Sequence, residues 1–122
     1  MRFTRTRKRA SAAALAVVAM GVIGVGAATS AQAAEGSWTI RSGGCVALEE
    51  VELQSGHDHM AIDPIAAPSG CEFGIINVNT GQWVYGPTTD PRESPWEYDG
   101  PDVSLKACTW GPRSAEACGP VN

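Results

Sequence analysis

Four cysteines, Cys45, Cys71, Cys108 and Cys118, sit in a chain of 122 residues, and their pairing constrains the fold more than any other feature. Whether thiols pair depends on the compartment, and the amino terminus speaks to that. It opens with Arg2, Arg5, Arg7, Lys8 and Arg9, runs through Ala, Val and Gly from Ala10 to about Ala28, and closes on Ala31-Gln32-Ala33. Basic, then apolar, then small-x-small is the order of a secretory signal peptide. Gly21, Gly24 and Gly26 interrupt the apolar run. A permanent anchor needs about 20 firmly apolar residues, so a leader over 1–33 is expected, cleaved after Ala33. The leader has no Arg-Arg pair, which favours Sec over Tat export, and its Ala-rich build is similar to leaders of high-G+C Gram-positive bacteria.

Removing 33 of 122 residues leaves 89, residues 34–122, as one secreted domain. A chain of that size buries only roughly 60–65% of its unfolded surface, so its core is marginal and gains from covalent staples. In an exported chain four cysteines are expected as two disulfides. Three pairings are possible, and neighbours in sequence are favoured: Cys45–Cys71 and Cys108–Cys118. The loops they close would restrain the unfolded chain by ~3.6 and ~2.8 kcal/mol. The cysteines lack the C-x2–4-C spacing of a zinc site, and neither a metal nor a cofactor is expected.

Charge narrows the partners. Five of the nine Lys and Arg lie in the leader, while all 13 Asp and Glu lie beyond it. The secreted domain thus carries four cations, Arg41, Arg92, Lys106 and Arg113, against 13 acids, a net charge of −9. Such a surface has no charge mechanism for nucleic acid or an anionic membrane. A charged partner would be cationic, and the domain should stay soluble and monomeric.

Gly and Pro punctuate the domain every dozen residues, with strand-like runs between them. The expected strands are Ser37–Arg41, Cys45–Gln54, Met60–Asp63, Cys71–Val78, Gln82–Tyr85, Trp96–Tyr98 and Val103–Trp110. In the second, Val46 and Leu48 fall out of phase with Val51 and Leu53, and a bulge at Glu49-Glu50 would return both pairs to the core. Asn79-Thr80-Gly81 predicts a hairpin with Gly in the left-handed position. Residues 86–95 (GPTTDPRESP) read as a long surface loop. These features predict an all-β fold, a small antiparallel sandwich or barrel of six to seven short strands.

Candidate contact residues fall into three groups. Trp83-Val84-Tyr85 and Trp96-Glu97-Tyr98 are matching triplets, and on a regular strand positions i and i+2 share a face. Each would set an indole beside a phenol, as a flat platform for polysaccharide or as core filling. Trp110 and Arg113 belong to the Cys108–Cys118 loop, and Arg92 to the Pro-rich loop. The Cys108–Cys118 tie pins a chain end that would otherwise fray; alternatively, a closed loop with Pro112-Arg113-Ser114 at its tip is preorganised for binding. It resembles the disulfide-closed loops of Bowman–Birk inhibitors but lacks their Pro after the scissile bond. The size and strand content are similar to those of the small secreted α-amylase inhibitors, whose Trp-Arg-Tyr triplet is absent, and no family is assigned. His57-Asp58-His59 is expected as a polar exposed turn at a loop tip, the alternative being two histidines on one side sharing a metal. Asp90, Glu93, Glu97, Asp99 and Asp102 offer oxygens to calcium without EF-hand spacing. No residue set reads as catalytic. The expectation is a non-enzymatic secreted binding protein, with an extracellular hydrolase as candidate target, a carbohydrate-binding module as the alternative, and a structural cell-surface role third.

Overall fold

The computed structural model describes residues 35–122, so the expected leader lies outside the described residues. Eight strands follow: β1 (Gly36–Ser42), β2 (Cys45–Gln54), β3 (His57–Ala66), β4 (Glu72–Asn77), β5 (Gln82–Thr88), β6 (Glu97–Tyr98), β7 (Leu105–Trp110) and β8 (Ala117–Cys118). They form two four-stranded sheets of order β1-β2-β3-β6 and β5-β4-β7-β8, with every pair antiparallel. This is the expected all-β sandwich, with one strand more than the sequence suggested. β8 lies in the tail and contains only two residues, too few to produce a pattern.

Local chemistry sets the hairpins. Gly43-Gly44 joins β1 to β2 with Ser42 facing Cys45, and Ser55-Gly56 joins β2 to β3, both residues at positive φ. Such two-residue connections demand left-handed backbone. Gly81, at φ 77°, supplies it in the β4–β5 hairpin, where its N–H donates to the Asn77 carbonyl at 2.7 Å.

Facing side chains of the two sheets make the core: Ile40, Ala47, Val51, Met60 and Ile62 from one, Phe73, Ile75, Leu105 and Ala107 from the other. Trp38, Tyr85 and Val103 pack against it. Cys45–Cys71 and Cys108–Cys118 are the disulfides, as neighbour pairing predicted. The first ties β2 of one sheet to the segment leading into β4 of the other. The second joins facing positions of β7 and β8.

Three expectations about strand interiors are corrected. β2 keeps an unbroken alternation, so Cys45, Ala47, Glu49 and Val51 are all buried, while Leu48 is half-buried and Leu53 exposed. The bulge lies at Val46/Ala47, not Glu49-Glu50. Keeping the register places a carboxylate in the interior, which hydropathy alone would never choose. Val78, the last residue of the expected Cys71–Val78 strand, is exposed because it begins the turn. Gly86-Pro87-Thr88, expected in the loop, continues β5 beyond Tyr85, with Thr88 facing Phe73 and a cis peptide before Pro87.

Candidate functional site

The aromatic triplets do not build a flat platform. β5 is bulged against β4, with Tyr85 facing Ile75 but Trp83 facing Ile76, so Val84 is the extra residue. One extra residue reverses the face. Tyr85 therefore points inward and packs on the core, while Trp83 points outward. Its ring lies over Gly74, where an added Cβ would sit 2.9 Å from the indole, and its centroid is 5.7 Å from that of Trp110 at 47°. Trp83 and Trp110 form a half-buried pair on the outer face of the second sheet. Trp96 and Tyr98 belong with the other sheet. Tyr98 pairs with His59 and folds over Gly100, with the rings of His57 and His59 edge-on at 5.5 and 5.8 Å. The two histidines do point the same way, as alternation requires, but from the first turn of a strand rather than a loop tip. An aromatic ring occupies the space beside them.

The Pro-rich loop is strapped to β3 by Ser94. Its N–H donates to the Ile62 carbonyl, and its hydroxyl accepts from the Ile62 N–H, both at 3.0 Å. Tyr85 lies beneath Asp90, Arg92 and Pro95, around a depression of about 500 Å³. Burial and the nearby Asp90 charge push its phenol pKa up. Arg92 is fully committed locally: its Nε and Nη2 donate to the two carboxylate oxygens of Asp90 at 3.0 and 2.8 Å. That fork holds the Asp90 pKa down at about 2.

The five acids proposed for calcium are dispersed. Asp90 belongs to Arg92, Asp102 is exposed, Glu97 is half-buried with its pKa raised by burial, and Asp99 is buried. Glu93 instead approaches Glu50 and Asp63 from the first sheet. Burial first, then hydrogen bonding to Glu93, lifts the Glu50 pKa to about 7. Asp63 is raised by its own burial and by Glu93.

Glu49 is the residue that the sequence reading missed as an interior group. It is 0% exposed, and its Oε1 accepts from the Ala107 N–H at 2.7 Å. That N–H faces the last segment of the chain. Gly119 donates to Ala107 O and Asn122 exchanges both backbone bonds with Leu105, so Pro120 and Val121 bow outward between them. The carboxylate fills the opening and lies so close to Gly119 that a Cβ there would meet Oε1 at 2.7 Å. Its Oε2 is buried without a hydrogen-bond partner, as is Oδ1 of Asp99. Desolvation is the chief cause that lifts Glu49 to about 7, with the Asp99 charge adding to it. Asp99 is lifted to about 6, again chiefly by burial, although its Oδ2 accepts from Asn122 Nδ2 at 2.8 Å.

A further groove lies between the Gly43-Gly44 turn and the loop that the Cys108–Cys118 bond closes. Gly43, Gly44, Pro68, Ser69, Pro112 and Arg113 line it over the Cys45–Cys71 bond, with a volume of about 310 Å³. Its walls are built from rigid elements. Gly70, at φ 95°, lets Pro112 approach so closely that a Cβ would meet the ring at 2.9 Å. Gly111 to Ser114 form a turn in which the Ser114 N–H donates to Gly111 O and its hydroxyl accepts from the Gly111 N–H. The Ser42 hydroxyl of β1 donates to Ala115 O and shares a hydrogen bond with the Ser114 hydroxyl. Arg113 thus stands exposed at a turn corner, without an ion pair among the described residues. It is not in the extended run that a protease reads. Of the predicted contact residues, only Arg113 lines this groove, and Trp110 precedes its Gly111 wall.

No protein-family model matches the chain, and no curated protein or solved structure matches it.

Proposed function

We propose that this protein is a non-enzymatic extracellular binding module whose target is another protein, with a secreted hydrolase as the candidate class. The observation that carries the reading is the groove. The Cys45–Cys71 disulfide lines it, the Cys108–Cys118 disulfide closes the loop that carries Arg113, and hydrogen bonds to Ser42 and Gly111 hold Ser114 in that loop. Rigid presentation lowers the ordering cost of association. Proline-lined walls and a guanidinium without a partner are chemistry suited to a protein surface. His57 and His59 lie edge-on to the Tyr98 ring.

The carbohydrate reading rests on the Trp83–Trp110 pair, which lies on an outer sheet face. Its rings are tilted and half-buried, whereas sugar stacking favours open, coplanar rings, and Tyr85, Trp96 and Tyr98 lie elsewhere. Amide hydrogen exchange in the presence of secreted hydrolases, and separately of polysaccharide fragments, distinguishes the two. Protection of residues 43–44, 68–70 and 111–114 by a protein is the expected result. Protection and indole quenching changes confined to Trp83 and Trp110 upon sugar addition would overturn it.

A further inference from the structure

The charge of the groove runs against the charge of the molecule. The residues that line it, drawn from 43–45, 68–71 and 111–114, include none of the 13 acids, and the only ionised one is Arg113. Arg92 is neutralised by Asp90, but Arg113 is not neutralised by anything among the described residues. A domain of net charge −9 therefore offers one acid-free, apolar hollow with a cation at its lip. An anionic partner would be repelled from the rest of the surface and accepted there.

From this complementarity we propose that the groove binds the carboxyl terminus of a partner polypeptide, with the terminal carboxylate on Arg113 and the last, apolar side chain between Pro68 and Pro112. The inference rests on the protein-binding reading and specifies its chemistry. Volume argues for a chain end. About 310 Å³ is at the lower limit of ligand clefts and accommodates a residue or two rather than a passing strand. Geometry argues the same way. At a chain end, the carboxylate and the last side chain leave a single Cα together. In mid-strand, neighbouring side chains point to opposite faces, so an acidic and an apolar group on the same face would be two residues, roughly 6–7 Å, apart. Arg is the suitable cation, since its planar fork engages both carboxylate oxygens.

The test is a ¹⁵N NMR titration of the purified protein with acetyl-Ala-Leu as free acid and as amide, and with acetyl-Leu-Asp-Leu-amide, which carries only a side-chain carboxylate. The free acid should shift the amides of Gly43, Gly44, Ser69 and Gly111 saturably. The amide, the internal-acid peptide and the Arg113→Gln variant should each bind about tenfold more weakly or worse. Arg113 is exposed, so the variant keeps the fold, and an unchanged spectrum away from the groove checks this. Equal affinity for acid and amide, tighter binding of the internal-acid peptide, or shifts located elsewhere would overturn the assignment, as would concentration-dependent shifts without peptide, which indicate a second copy in the groove. If the peptides fail while a hydrolase still protects residues 43–44 and 111–114 from exchange, the carboxylate assignment falls and the protein-binding reading stands.

Discussion

Replacing Glu49 with Gln tests the most unusual feature of the interior. Glu49 has an ordinary pKa of 4.5 when exposed and about 7 in the fold, because burial disfavours its charged form. The folded state therefore holds its proton more tightly than the unfolded state. Below pH 4.5 both states are protonated and the group costs nothing. As pH rises from 4.5 to 7 the unfolded state loses its proton first, and folding stability falls across that window. A shift of about two and a half pKa units corresponds to about 3 kcal/mol at pH 8. That is a large share of the ~5–15 kcal/mol that holds a domain together. Asp99 and Glu50 are shifted in the same direction, so the parent protein should be markedly more stable at pH 4 than at pH 8. Glu49→Gln keeps the acceptor for the Ala107 N–H and removes the ionisation. Its amide donors meet the site where Oε2 has no partner, a cost of about 1–3 kcal/mol at every pH. The informative quantity is thus the difference between pH 4 and pH 8, read from urea unfolding monitored by tryptophan fluorescence with disulfides intact. The variant should lose about 3 kcal/mol less than the parent over that range. Identical pH dependence in the two proteins would refute the account of a protonated interior carboxyl.

The remaining predictions concern the aromatic pair and the second staple. Gly74→Ala would drive a methyl to within 2.9 Å of the Trp83 ring and 3.0 Å of Tyr85 O. It should destabilise by about 1–3 kcal/mol and alter the near-UV circular dichroism of the Trp83–Trp110 couple, and a silent substitution would show that the ring yields freely. Cys108→Ser together with Cys118→Ser should cost about 2.8 kcal/mol and release the tail, leaving the β1–β3 sheet and the Cys45–Cys71 tie in place. Loss of all cooperative unfolding would show that β8 is required for the sandwich.

Much of this architecture was legible before any coordinates. Glycine punctuation placed the β1–β2 turn and the β4–β5 hairpin but not the Ser55-Gly56 hairpin, Cys45–Gln54 was bounded to the residue, and adjacency in sequence paired the cysteines. These succeed because turn chemistry and short loop closure are local: Gly81 must adopt positive φ whatever lies across the sheet. The facing of Trp83 against Tyr85 was not legible, because a bulge is a mismatch between two strands and neither strand encodes it alone. The same holds for the extension of β5 through Gly86-Pro87-Thr88, which only its pairing with β4 reveals.

The sequence by itself determined the strand-rich, acidic, twice-stapled character of the domain. Tertiary structure decided where polar groups meet. Residues 43–45, 68–71 and 111–114 lie far apart in the chain, and their shared lack of acids becomes a groove only when the Cys45–Cys71 bond and the Ser42–Ser114 contact assemble them. Glu49 is interior for a related reason. Its place on β2 is fixed by an alternation that buries Cys45, Ala47 and Val51, and an Ala107 N–H left open by the bowed carboxyl-terminal segment gives the carboxylate its partner. Hydropathy scores a side chain by its own affinity for water, whereas burial is decided by register and by what the opposite sheet leaves unpaired.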